Sequence, residues 1–108
     1  MMTQIDRLSG AMLSNYMSSL TNRFYKILPI KESEQDTLND YVSSLLLEMT
    51  GCKELITALH DDDRYLSLLS ILQYIKEHDP DVKIVRREVF KSLSIIKKLQ
   101  KKYCEVKA

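Results

Sequence analysis

The chain has 108 residues, 44% of them hydrophobic and 29% charged, with a formal net charge of +1. This composition supports one core and excludes a disordered chain. Two Gly and two Pro in the whole sequence are too few for an all-β fold, which turns about every 8 to 12 residues, so helices are favoured before any pattern is read.

Thr3 is placed to cap a first helix in which Ile5, Leu8, Met12, Tyr16, Leu20, Phe24 and Ile27 recur at spacings of three and four, and Pro29 is expected to end it. Gly10 and the polar series Ser14, Asn15, Ser18, Ser19, Thr21 and Asn22 weaken its first half. Residues 1–20 therefore either fray or form a separate N-terminal helix. Asp36 is the expected cap of a second helix, whose seam Leu38, Val42, Leu45, Met49, Cys52, Ile56 and Leu59 alternates steps of four and three, the pattern of bundles and coiled coils. Gly51 inside this helix predicts close approach by a neighbour, the usual compensation for its low helix propensity.

The run His60, Asp61, Asp62 and Asp63 reads as one helix end followed by the acidic start of a third helix reaching His78. There Tyr65, Leu66, Leu68, Leu69, Ile71, Leu72 and Ile75 cover most of the circumference, leaving a narrow strip of Ser67, Ser70 and the tip of Tyr74. Such a helix is expected at the centre of the domain. Asp79 and Pro80 are expected to cap and open a fourth helix with Val82, Val85, Val89, Leu93, Ile96, Leu99 and Tyr103 on its inner side, ending near Cys104. The β-branched segment from Val82 to Val85 allows a later start at Arg86. The expected fold is thus all-α, a three- to four-helix bundle with a central hydrophobic third helix, formed by residues 1–108 as a single domain.

At 1.5 Å per residue the first, second and fourth helices would run about 35 to 39 Å against about 25 Å for the third. Apolar stripes that overhang a shorter partner need cover, and a homodimer is one way to supply it. Leu47, pointing away from the second helix's seam, is a candidate contact for a partner.

Apolar runs such as Leu45 to Leu47 fall far short of the ~20 residues that span a bilayer, and the polar N-terminus makes no signal peptide, so no membrane association is expected. Cys52 and Cys104 have neither disulfide-framework nor zinc-ligand spacing and read as reduced thiols of a cytoplasmic protein, Cys52 in the core and Cys104 accessible. His60 and His78 sit at opposite ends of the third helix, too far apart for one metal ion. With no phosphate loop, nucleophile elbow or metal-ligand pair, neither catalytic residues nor a cofactor are expected.

The charge is unevenly spread. Residues 83–108 carry nine Lys or Arg and two Glu, a net of +7, while residues 1–82 carry seven against thirteen, a net of −6. On the fourth helix Arg87, Lys91, Lys98 and Lys102 align on the outer face with Lys97 and Lys101 beside them, a ridge suited to an acidic protein or to phosphates. The plainer reading is a solvated helix face with lysines favourably placed at its C-terminus. A non-enzymatic protein-protein interaction module is the leading expectation, and a nucleic-acid-binding accessory protein using the same ridge is the alternative.

The segments Phe24-Tyr25-Lys26-Ile27-Leu28-Pro29-Ile30-Lys31-Glu32 and Arg86-Arg87-Glu88-Val89-Phe90-Lys91 resemble those of short helical accessory proteins of phages and mobile elements in low-GC Gram-positive bacteria. In size and helix count the chain is also similar to the bacteriocin-immunity four-helix bundles, whose basic C-terminal regions engage partners. It departs from them in lacking an extended C-terminal tail. These resemblances imply a helical adaptor, regulator or inhibitor, and they transfer no site residue.

Overall fold

The computed structural model describes residues 10–33 and 37–106. It is an all-α bundle built from α1 (Gly10–Tyr25), α2 (Ile27–Glu32), α3 (Thr37–Leu55), α4 (Thr57–His60), α5 (Asp63–His78) and α6 (Val82–Val106). The expected caps Thr3 and Asp36, and the side chain of Cys104, lie outside the described residues.

Pro29 kinks the first helix instead of ending it. Having no N–H, it cannot donate to the carbonyl of Tyr25, and its ring crowds that carbonyl, so the regular ladder stops at Tyr25. Lys26 nevertheless keeps a right-handed helical backbone at φ −65° and ψ −17°. The amide of Lys26 donates to Asn22 O at 3.2 Å and that of Ile30 to Lys26 O at 3.4 Å, carrying the chain directly into α2. The buried stripe of α1 and α2 is Leu13, Met17, Leu20, Phe24, Ile27 and Leu28. Leu20, Phe24 and Ile27 are buried as expected, whereas in the first half Leu13 and Met17 take the inward places expected for Met12 and Tyr16, and Met12 is 56% exposed.

The seam of the second helix behaves as expected through Leu38, Val42, Leu45 and Met49, all buried. It is not continuous, however. Ile56 turns extended at φ −110° and ψ 108°, and the short α4 then returns Leu59 to full burial. Gly51 has no close neighbour: a Cβ added there would meet nothing within 4 Å, so the expected tight crossing is absent.

Asp62 caps α5, its side chain accepting from the amides of Arg64 and Tyr65. At the far end the expectation for Asp79 needs correction. Asp79 adopts a left-handed backbone, φ 43°, and closes α5 by donating its amide to Ile75 O at 3.1 Å, a conformation that Asp tolerates better than most residues. Asp81 is the residue that caps α6, its Oδ1 accepting from Ile84 N at 3.1 Å, and the helix begins at Val82, ahead of the alternative start at Arg86.

In the bundle α6 packs along α1 on one side and α5 on the other, α5 packs in turn on α3, and α2 bridges α3 to α6. Tyr65, Leu68 and Leu72 of α5 are fully buried. Ser67, Ser70 and Tyr74 are exposed as the narrow strip predicted, with Leu66 and Leu69 half-buried beside it. Each large apolar side chain so enclosed stabilises by roughly 1.5–3 kcal/mol. The fully buried phenol of α5 is satisfied: Tyr65 Oη donates to Met49 O at 2.8 Å and lies 3.4 Å from Tyr16 Oη.

The 25 residues of α6 span about 37 Å, which sets the 43 Å long dimension of the molecule. Because the first helix is kinked and the second broken, α1, α3 and α5 have 16, 19 and 16 residues, on the order of 24 to 29 Å. Among the described residues the length mismatch behind the expected dimer is thus confined to α6. No helix among them is long and apolar enough to cross a membrane.

Candidate functional site

The candidate site is the outward side of α6. Its inward stripe of Val85, Val89, Ile96, Leu99 and Tyr103 is buried, which at 100° per residue turns Arg87, Lys91 and Lys98 directly outward. All three are exposed, as are Lys97, Lys101 and Lys102. No acidic residue lies between Glu88 and Glu105, so the helix itself does not neutralise the strip.

The four basic residues expected to act together have different roles. Arg87 is 70% exposed and its Nε lies 3.3 Å from the adjacent Glu88, an exposed pair worth little. Lys91 and Lys98 are exposed and make no ion pair among the described residues. Lys102 serves the fold: its Nζ is 2.7 Å from Asp62 Oδ2 and 5.5 Å from the centre of the Tyr103 ring. Arg86, outside the expected set, is also engaged, 2.9 Å from Glu32 of α2. Among the described residues of α6, Lys83 near its start and Lys91, Lys97, Lys98 and Lys101 farther on make no ion pair, and the latter four form the free cationic strip.

Leu47 is not brought to this strip. It is 76% exposed on α3, and the residues one turn away, Ser43, Ser44, Thr50 and Gly51, are small or polar, so it is an isolated side chain without an apolar patch. Conversely, Phe90 lies among the cationic residues of α6 and is 50% exposed. It falls off the Val82-Val85-Val89 stripe, and that phase was a signal legible in the sequence. Tyr25 of α1 is similarly exposed at 54%. The cross-links from Gln100 to Ser18 at 2.7 Å and from Arg86 to Glu32 run α1 and α2 antiparallel to α6. They place Tyr25, two turns beyond Ser18, and Phe90, one turn beyond Arg86, along the same outer seam.

On its other flank the strip borders a groove of about 490 Å³ between α5 and α6, lined by Asp63, Leu66, Ser67, Ser70, Ile71, Lys91 and Ile95. A smaller depression of about 260 Å³ lies between α1 and α3, lined by Arg23, Lys26, Tyr41, Ser44, Leu45 and Glu48. There the Arg23–Glu48 ion pair and the Tyr41 Oη to Arg23 O hydrogen bond, 2.8 Å, tie the two helices together and use its polar groups.

Asp62 is the functional-looking residue that sequence reasoning undervalued. Its Oδ1 accepts from Arg64 N at 2.9 Å and Tyr65 N at 3.2 Å, and its Oδ2 from Lys102 Nζ at 2.7 Å and Tyr103 Oη at 3.3 Å. Burial works against its charge, but the Lys102 ammonium and the two amides outweigh it and hold the carboxyl below the ordinary aspartate value. Burial, reinforced by the same carboxylate, pushes the Tyr103 phenol up. Burial, reinforced by hydrogen bonding to Cys52 and Tyr65, likewise raises Tyr16. These phenols stay neutral and serve packing. Among the described residues no group of three or more His, Cys, Asp or Glu is placed to hold a metal; His60 pairs with Asp61 at 3.1 Å and His78 stacks near Tyr74 with ring centroids 4.9 Å apart. No family model, curated protein or solved structure matches the chain.

Proposed function

We propose that the protein is a non-enzymatic interaction module, an adaptor, regulator or inhibitor that engages an acidic protein partner through the outward side of α6. The observation that carries this reading is the run of exposed Lys91, Lys97, Lys98 and Lys101, which make no ion pair among the described residues, on a helix where Arg86 and Lys102 are tied into the fold. Four like charges on one face repel one another and favour a partner of opposite sign, which gives fast, salt-sensitive association. Phe90, half-exposed among them, supplies the aromatic anchor that charge alone lacks.

The test is affinity capture from cells that encode the protein, comparing wild type with the triple variant Lys91→Glu, Lys98→Glu and Lys101→Glu. Lys102 is left intact because reversing it would set a second carboxylate against Asp62. Loss of one partner by the variant, with an unchanged helical circular dichroism spectrum, supports the proposal. Equal capture by both proteins refutes it.

A further inference from the structure

Resting on that reading, we infer that the partner presents an acidic amphipathic helix, and that this helix lies in the groove between α5 and α6. On this flank the cationic strip adjoins a concave apolar surface: Leu66 and Ile95 are half-buried and Ile71 forms the buried base between them. Its lining on α5 is Asp63, Leu66, Ser67, Ser70 and Ile71, spaced by three and four over two turns. That is a helix ridge, and two antiparallel ridges leave a channel into which the ridge of a third helix fits.

Antiparallel pairing follows from the Asp62–Lys102 contact at one end and the three-residue connection from His78 to Val82 at the other. Ser67 and Ser70, both exposed, are small enough to let a helix approach, and their hydroxyls tolerate contact with its polar edge. Charge decides the class of occupant. Within the lining Lys91 balances Asp63, and the exposed Lys98, two turns on along the same side of α6, tips the charge beyond it to positive. A helix with apolar residues at i, i+4 and i+7 and Glu or Asp along one flank matches this surface, whereas a basic helix is repelled.

A synthetic peptide of about 16 residues, long enough to form a helix, tests this with Leu at i, i+4 and i+7 and Glu along one flank. Controls are the same composition scrambled and a version with Lys for Glu. Binding is followed by fluorescence anisotropy and by amide shifts of the labelled protein. The expected result is preference for the Glu-flanked peptide by at least ten-fold over either control, with shifts centred on residues 63–71 and 91–98. Filling the groove by Ser70→Trp, read beside Ser67→Trp in case one variant misfolds, should weaken binding at least ten-fold.

Unchanged affinity in folded Ser70→Trp and Ser67→Trp, or equal binding of the scrambled peptide, overturns the groove. If Lys91→Glu with Lys98→Glu still weakens binding in that case, the charged face survives as the interface without the groove. If neither change matters, both readings fall. A short DNA duplex that shifts the same residues and displaces the peptide at equal concentration would overturn the protein helix as occupant.

Discussion

Replacing Asp62 by Ala should be among the most damaging single changes outside the apolar core. The carboxylate is 3% exposed and collects four hydrogen bonds from two distant parts of the chain. Losing the cap of α5 costs about 1 kcal/mol, within a range of roughly 0.5–2. The buried Tyr103 hydroxyl loses this acceptor, a further loss of about 1 kcal/mol or more. Lys102 is 47% exposed and can return its ammonium to water, so its share is at most about 1 kcal/mol. The sum is about 2–4 kcal/mol, a large part of the roughly 5–15 kcal/mol by which such a domain is stable. Asp62→Asn keeps an oxygen that caps equally well but turns an amide toward the Lys102 ammonium, so it should cost about half as much. Urea denaturation of the three proteins gives these differences as midpoint shifts at constant slope. A loss under about 1 kcal/mol for Asp62→Ala, or equal losses for both variants, would refute this account of the junction.

Other consequences are as direct. Gly51→Ala should raise stability by about 0.5–1 kcal/mol in the same assay, because the added methyl enters open space on a helical residue. Tyr65→Phe should cost about 1 kcal/mol through the lost bond to Met49 O, and Leu72→Ala, fully buried, about 2–5 kcal/mol. The contribution of Asp62 is complete above its unfolded value of about 3.9 and is given up as pH falls through its lower folded value. Wild type should therefore lose stability below about pH 4 more steeply than Asp62→Asn, as read from thermal midpoints across that range.

The inward faces of α3, α5 and α6 could be read from spacing because burial imposes a helical period that any sequence must obey. Interruptions that preserve the phase are invisible to the same reasoning. Leu59 falls in register with Met49 and Cys52, so the seam reads as unbroken although Ile56 leaves the helix. Pro29 announced a disturbance, but whether it stops or kinks a helix depends on what the far side packs against, here the buried Ile27 and Leu28. Of three consecutive aspartates, Asp62 alone becomes buried because Lys102 and Tyr103, forty residues away in sequence, come to meet it. That same contact divides the candidate site: the basic ridge was legible from the charge distribution, whereas the withdrawal of Lys102 and Arg86 into ion pairs needed the tertiary arrangement. Leu47 is exposed, as its place off the seam of the second helix implied, but one exposed leucine carries no information about what would cover it.

A partner bound as proposed covers the outward side of α6. Lysine acetylation footprinting of the captured complex against the free protein measures this directly, with Lys26 and Lys76, both exposed on other helical segments, as internal references. Reduced reactivity at Lys91, Lys97, Lys98 and Lys101 with no change at Lys26 and Lys76 is the predicted result. Full reactivity of those four lysines in a complex that remains bound would contradict it.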